Sequence, residues 1–201
     1  MTAPALRSIW GLVLALVLAL GACGRSPIVH YYTLVGARPA ALAPLAGPSI
    51  VVGPVAVPET VDRPEIVLRV SPTRLALTDE HQWAEPLAEE IARAMADDLA
   101  IALPHARVAA GARPGEVRPD WEVRVSVQRF DSALDVEAII EALWSVRRAD
   151  GGVVKTGRSL VRVAAAGRGY DALVAAHARA VAQLSGEIAE VIRAEAPVAG
   201  R

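Results

Sequence analysis

Residues 121–130 read WEVRVSVQRF, and the first eight of them alternate strictly between apolar and polar side chains. The apolar members are Trp121, Val123, Val125 and Val127, and the polar members are Glu122, Arg124, Ser126 and Gln128. Successive side chains of a β-strand point to opposite faces of its sheet, so this pattern predicts a strand with one buried face and one exposed face. The strand decides the fold, because a sheet with one apolar face needs a second layer to cover it.

Two more strands are predicted after this one. Val136–Arg148 and Val153–Val163 are both rich in β-branched residues, and Ala149-Asp150-Gly151-Gly152 lies between them. An Asp-Gly pair between two such runs is typical of a tight hairpin turn. The two strands are therefore predicted to form a hairpin.

Four shorter runs with strand-like composition come before residue 80: His30–Val35, Ser49–Val57, Glu65–Val70 and Arg74–Thr78. The last two are predicted to form a hairpin around Ser71-Pro72-Thr73. The second run contains Gly53-Pro54. Because proline cannot donate a ladder hydrogen bond, that strand is expected either to end there or to run along a sheet edge.

Two segments have the periodicity of amphipathic helices. Pro86 suits the first position of a helix, and an apolar residue then recurs every four positions until Pro104 stops the helix. These apolar residues are Leu87, Ile91, Met95, Leu99 and Leu103. The second helix is Tyr170–Ala194, on whose inner side His177 is interpreted as a partly buried structural histidine. The order of four strands, a helix, further strands and a final helix predicts an α+β fold. It would be a single domain whose mixed, mostly antiparallel β-sheet carries two long amphipathic helices on one face.

The N-terminus has the features of an exported lipoprotein. Ile9–Leu20 is an uninterrupted apolar run behind Arg7. It is shorter than the roughly 20 residues that span a bilayer, so it is interpreted as part of a signal peptide. Leu20-Gly21-Ala22-Cys23 resembles a lipobox, in which Cys23 becomes the acylated N-terminus; the alternative is an ordinary signal peptide followed by an incidental cysteine. We predict a signal peptide at 1–22, a lipidated tether at 23–29, the folded domain at 30–194 and a C-terminal tail at 195–201.

The charge balance argues against several classes of function. The chain has 21 Lys and Arg against 22 Asp and Glu, a net charge of −1. Loss of Arg7 with the signal peptide leaves 20 against 22, or −2. Nucleic-acid binding draws its affinity from a basic face, which this composition does not favour, and electrostatic attachment to anionic lipid is equally disfavoured. Because the single cysteine is Cys23, the acylated protein is expected to form no disulfide and no cysteine-ligated metal site.

The sequence contains no recognisable catalytic or metal-binding pattern. The histidines are His30, His81, His105 and His177. They form no HExxH pair and have no carboxylate at metal-ligand spacing. We therefore predict no catalytic residue, no metal and no cofactor, and a protein that is not an enzyme. Asp62-Arg63 lies between two prolines, where it could form a local ion pair or a binding tip; the residues alone leave both open.

Several short motifs occur in an order that matches a known family. They are Tyr32-Thr33-Leu34, Val52-Gly53-Pro54-Val55 with Pro58, Asp62-Arg63-Pro64 with Ile66, Val67 and Arg69, Trp83-Ala84-Glu85-Pro86-Leu87, and Leu184-Ser185 with Ile188. Behind a lipobox, this arrangement resembles the PqiC/YmbA family, the ABC-type transport auxiliary lipoproteins, over about Tyr31–Ile192. Gln82 departs from the pattern, because arginine is more usual before the tryptophan.

The resemblance implies a role in transport rather than a reaction. Proteins similar to this chain serve envelope-spanning lipid transport systems built around an MCE-domain protein of the PqiB type. The implied role is a homo-oligomeric lipoprotein that docks the periplasmic MCE conduit to the outer membrane and is held there by N-terminal acyl chains. Gly24, in place of the aspartate that commonly retains lipoproteins at the inner membrane, fits that destination. The alternative is a periplasmic lipoprotein that binds and activates a cell-wall synthase.

Four residues are candidates for a partner-binding surface: Asp62, Arg63, Trp83 and Glu85. In this interpretation the Asp62-Arg63 loop and the start of the first helix form one docking corner. The other interpretation of Trp83–Leu87 is structural, with an aromatic ring and a proline fixing the path of the chain into the helix.

Overall fold

The computed structural model describes residues 28–34, 47–111 and 118–195. The strands are β1 (His30–Tyr32), β2 (Ser49–Ala56), β3 (Leu68–Ser71), β4 (Arg74–Ala76), β5 (His81–Trp83), β6 (Arg107–Ala110), β7 (Trp121–Ala133), β8 (Glu137–Arg148) and β9 (Val153–Ala164). The helices are α1 (Leu87–Ala102) and α2 (Gly169–Glu195). The predicted signal peptide, Cys23, most of the tether and nearly all of the C-terminal tail lie outside the described residues.

Strand β7 lies at the centre of the larger sheet, and its two faces differ as the alternation predicts. Its apolar side chains from Trp121 to Val127 are buried, whereas Arg124 and Gln128 are exposed. β7 pairs with β8 and β8 with β9, both antiparallel, so the predicted hairpin is confirmed. A bulge between Val127 and Arg129 moves the next inward position to Phe130, which is why the alternation stops there.

On its other side, β7 is bordered by two different pairs of strands. Its first half pairs in parallel with β2, which pairs in parallel with β6. Its end meets β3, which forms the predicted hairpin with β4. Strand β2 does not end at Gly53-Pro54. It lies between β6 and β7 up to Val52 and has β7 alone beside it from Val55, so the edge prediction is correct only for its last residues.

Both helices cover the apolar face of the larger sheet and contact each other. Helix α1 packs on β2 and β6, and α2 packs on β8 and β9. The predicted apolar stripe is confirmed for Leu87, Ile91, Met95 and Leu99, which are at most 1% exposed. Leu103, its fifth predicted member, is the half-buried C-cap, because the helix ends at Ala102. Helix α1 begins at Leu87 and Pro86 is its N-cap, so the proline lies one position earlier than predicted.

The sequence does not predict β5 and β6, which are three and four residues long. β1, β3 and β4 are just as short, but they lie in longer runs of strand-like composition, whereas β5 reads HQW and β6 reads RVAA. β5 pairs in parallel with β1 as a separate two-stranded sheet, and this pairing joins the N-terminus of the domain to the start of α1. The fold is the predicted single-domain α+β arrangement, with its longest ladders antiparallel and its shorter pairings largely parallel.

Candidate partner-binding surfaces

The loop that carries Asp62 and Arg63 is an ordered turn on the surface. The backbone N–H groups of Val61 and Asp62 donate to the Pro58 carbonyl at 2.9 and 3.1 Å, and the buried Val61 side chain holds the turn against the domain. Asp62 and Arg63 are both exposed. Among the described residues the ion-pair partner of Arg63 is Glu65, at 3.1 Å between Nε and Oε2, rather than Asp62.

Trp83 supports this loop from inside the domain. Its side chain is 4% exposed, and its backbone N–H donates to the Pro64 carbonyl at 2.7 Å. The ring packs edge-on against Phe130 and His177, with centroids 6.1 and 6.5 Å apart. The structure therefore joins the loop to the helix start, but the indole ring lies beneath the surface.

Glu85 lies two residues after Trp83, just before the helix, and is exposed. Arg93 binds both of its carboxylate oxygens, one of them at 2.9 Å, and this hydrogen bonding holds the pKa of Glu85 below its usual value. The pair borders a groove of about 570 Å³ between α1 and the kink of β2 at Gly53-Pro54. Gly53 has φ +134°, a backbone conformation that favours glycine, so the Gly-Pro motif shapes this groove.

The outer face of the larger sheet carries a second open groove, of about 710 Å³. Its walls include Pro54, Ala56, Arg124, Leu143 and Arg158. Arg158 pairs with Glu141 at 2.8 Å. Sequence reasoning does not predict this groove, because it needs the register of three strands. One sequence feature points to the groove: Leu143 is an apolar residue that pairs with Ser126 on the polar face of the sheet. In the structure the Leu143 side chain is exposed.

His177, interpreted from sequence as structural, is fully buried in the core. Its Nε2 lies 2.8 Å from Ser132 Oγ, and its ring stacks on Phe130 with centroids 4.0 Å apart. Nδ1 has no hydrogen-bond partner among the described residues. Desolvation lowers the pKa of His177 to about 3, partly opposed by Asp131, so the ring is neutral at physiological pH.

Within 28–34, 47–111 and 118–195, no three His, Cys, Asp or Glu side chains are grouped so that they could hold a metal ion. In the same ranges neither helix is long and apolar enough to cross a membrane.

Fold and surfaces together define a small α+β domain whose grooves are shallow and open to solvent. Its family follows from a match over residues 32–189: the chain belongs to the ABC-type transport auxiliary lipoprotein components. This confirms the resemblance inferred from the motifs. The family description is that of a transport component rather than an enzyme.

Solved structures with a similar fold include a crystal structure of an uncharacterized protein, with a TM-score of 0.67 at 23% identity over 82% of this chain and 99% of that chain. A Xanthomonas campestris protein of the DUF330 family has a TM-score of 0.62 at 21% identity, over 80% of this chain and 92% of its own. At these identities the similarity shows the fold alone. No curated protein is significantly similar to the chain in sequence.

Proposed function

We propose that the protein is a non-enzymatic lipoprotein subunit of an MCE-type lipid transport system, anchored in the outer membrane through acylated Cys23. The observation that carries the proposal is the family match, which spans nearly the whole predicted domain. In this role the protein docks the periplasmic MCE conduit to the membrane. The homo-oligomeric state implied by the resemblance belongs to the same proposal.

The Asp62-Arg63 loop is the proposed docking tip. Its side chains are exposed, while its backbone is fixed by the turn at Pro58 and by the hydrogen bond from Trp83 to Pro64. Such a loop binds a partner without first losing much conformational freedom, which lowers the entropic cost of association. The opposite charges of Asp62 and Arg63 suit a polar partner surface and give orientation more than affinity.

Trp83 and Glu85 have different parts in this proposal. Trp83 acts through the loop it supports, because its ring is buried and cannot reach a partner. Glu85 is exposed but engaged by Arg93, so a partner would meet the ion pair as a unit beside the groove at Gly53-Pro54. Removing Glu85 would leave Arg93 without this carboxylate and change the charge of the groove.

In-cell crosslinking tests the docking surface with two matched double variants. Asp62→Ala/Arg63→Ala removes one acid and one base from the loop. Glu122→Ala/Arg124→Ala removes an acid–base pair, 3.0 Å apart, from the outer sheet face, where Arg124 is exposed and Glu122 is half-buried. We expect the MCE-domain protein to crosslink to wild type and to the sheet-face variant, and to be lost from the loop variant. Loss from the sheet-face variant alone would assign docking to the 710 Å³ groove instead.

The identity of the partner and the anchor is tested separately. Purification of the acylated protein from membranes should recover an MCE-domain protein, whereas recovery of a penicillin-binding protein would favour activation of a cell-wall synthase. Cys23→Ser should leave the protein uncleaved or released from the membrane, because two or more acyl chains are needed for stable anchoring. Fractionation of native protein into the inner membrane would contradict the outer-membrane assignment.

A further inference from the structure

Aromatic rings from three separate elements stack at one end of the molecule. Tyr32 Oη lies 2.8 Å from His81 Nδ1, which joins β1 to β5. The His81 ring stacks on Tyr170, with centroids 3.6 Å apart and planes inclined by 8°, which joins β5 to the start of α2. His30 stacks on the other side of His81 at 5.3 Å. This stack makes the end of the domain that follows the tether a rigid platform.

The turn between β7 and β8 belongs to the same end. The backbone N–H of Gly169, next to Tyr170, donates to Asp135 Oδ1 at 2.6 Å. Arg168 pairs with the other oxygen of Asp135 at 3.6 Å. Val136, the next residue in that turn, therefore lies beside the start of α2 and close to the aromatic stack.

The most exposed large apolar side chains of the described domain lie at this end. Among the described residues the three most exposed large hydrophobic side chains are Ile28 at 77%, Tyr31 at 66% and Val136 at 61%. Tyr31 lies in β1, Ile28 precedes that strand by two residues, and Val136 follows Asp135 beside the start of α2; we call this end of the domain, with Ile28, His30, Tyr31, Val136 and Tyr170, the anchor end. Single exposed apolar residues are ordinary, but their grouping at one end is a mark of an interaction surface.

The chain that leads to the anchor end is short. Ile28 follows Cys23 by five residues, and an extended chain advances at most about 3.6 Å per residue, so this path spans no more than about 18 Å. An acylated Cys23 lies at the lipid headgroups, which brings Ile28 and Tyr31 within reach of them. This step rests on the proposed acylation.

We propose that the anchor end lies on the lipid surface, with Ile28, Tyr31 and Val136 in contact with the headgroup region. Tyrosine is suited to that position because its ring is apolar and its hydroxyl is polar. The contact is apolar and aromatic rather than electrostatic. Arg168 is paired with Asp135. Burial, together with the nearby His30, lowers the pKa of His81, which favours its uncharged ring. It should therefore persist on neutral lipid and at high salt.

The proposal also orients the domain. β8 runs for 12 residues from the anchor end to the 149–152 turn, a distance of about 40 Å at about 3.4 Å per residue. That turn should face the periplasm, away from the lipid. Ala149 is exposed there and provides a matched reference for a label at the anchor end.

Single cysteines test this orientation, because acylation leaves Cys23 without a reactive thiol. The full acylated chain carrying Tyr31→Cys, Val136→Cys or Ala149→Cys would be labelled with an environment-sensitive fluorophore and reconstituted into phosphatidylcholine vesicles containing spin-labelled lipid. We expect most of the fluorescence to be quenched at positions 31 and 136, and little at 149. Equal quenching at all three positions, or none at 31 and 136, would overturn the proposal.

Two controls separate the possible failures. Protein that does not sediment with the vesicles and has an unmodified Cys23 by mass spectrometry would refute the proposed anchor, whatever the labels report. Labels at 31 and 136 on Cys23→Ser protein without residues 1–22, in the absence of vesicles, should give signals independent of protein concentration. A concentration-dependent blue shift there would identify a second copy of the chain as the occupant and overturn the lipid contact.

Discussion

Trp83 and the Asp62-Arg63 loop are joined by one hydrogen bond, yet they occupy opposite environments. The bond runs from the Trp83 N–H to the Pro64 carbonyl. Trp83 is packed against Phe130 and His177 in the core, whereas Asp62 and Arg63 are exposed. Both stretches carry family motifs, so a motif by itself does not reveal whether a residue maintains the fold or meets a partner. Burial separates the two roles.

The largest effect is expected from Trp83→Ala. Removal of a large, buried aromatic side chain costs about 3–5 kcal/mol of unfolding free energy, since it leaves a cavity between β5 and α2. Urea denaturation of the unlipidated Cys23→Ser chain would measure the loss. Trp83→Phe, which keeps a ring in the same space, should cost clearly less. A loss below about 1 kcal/mol for the alanine variant would contradict a core role for the indole.

Gly157→Ala should be the next largest, although it adds a single methyl group. A Cβ at position 157 would overlap Cζ2 of the Trp144 ring. That ring is fixed by a 2.9 Å hydrogen bond from Nε1 to Ser159 Oγ, so it cannot move aside without losing the bond. Overpacking of this kind costs about 1–3 kcal/mol.

Gly186→Ala is the matched control for that change. A Cβ there meets nothing within 4 Å, and Gly186 lies inside α2, where alanine is favoured by about 0.5–1 kcal/mol. The two Gly→Ala substitutions should therefore have opposite signs in thermal unfolding. Equal effects would show that the close approach of Trp144 to β9 is wrong.

The lowered pKa of the buried His177 predicts how the free energy of unfolding depends on pH. The pKa of His177 is about 3 in the folded protein, against about 6.5 in the unfolded chain. Above pH 6.5 neither state binds the proton. As the pH falls from 6.5 towards 3, only the unfolded state binds it, and stability falls by about 1.4 kcal/mol per pH unit.

Denaturation of wild type and His177→Gln at several pH values would isolate this contribution. The variant cannot titrate at position 177, so the difference between the two curves should shrink as the pH falls. The comparison is needed because burial raises the pKa of Glu90, which acts in the opposite direction at acid pH. A constant difference between the curves would mean that His177 is protonated inside the fold.

The parts of the fold that could be predicted are those with local periodicity. The alternation of β7 and the four-residue repeat of α1 report burial directly, because one face of each element meets the core. β5 has no such pattern. Its three residues are held by pairing with β1, in which His30 lies opposite His81, 51 residues further along the chain. The sheet-face groove, the close packing of Trp144 on Gly157 and the anchor end also depend on distant partners. The order of Asp62, Trp83 and Glu85 in the sequence does not reveal which of them is buried.

The smallest effect on stability is expected where the functional effect should be largest. In Asp62→Ala/Arg63→Ala, the double variant loses the exposed ion pair between Arg63 and Glu65, and such pairs contribute about 0–1 kcal/mol. The turn itself is held by backbone hydrogen bonds to Pro58 and by the buried Val61, which the substitutions leave in place. The variant should therefore melt within a few degrees of wild type, since about 1 kcal/mol shifts the melting temperature by only about 2–4 °C in a domain of this size. Its crosslinks to the MCE-domain protein should nevertheless be lost, while Glu122→Ala/Arg124→Ala retains both its stability and its crosslinks. A loop variant that is strongly destabilised would assign these charges to the fold. A stable variant with undiminished crosslinking would show that the loop is not part of the interface. Either result would contradict the assignment of a structural role to the buried tryptophan and a binding role to the exposed loop.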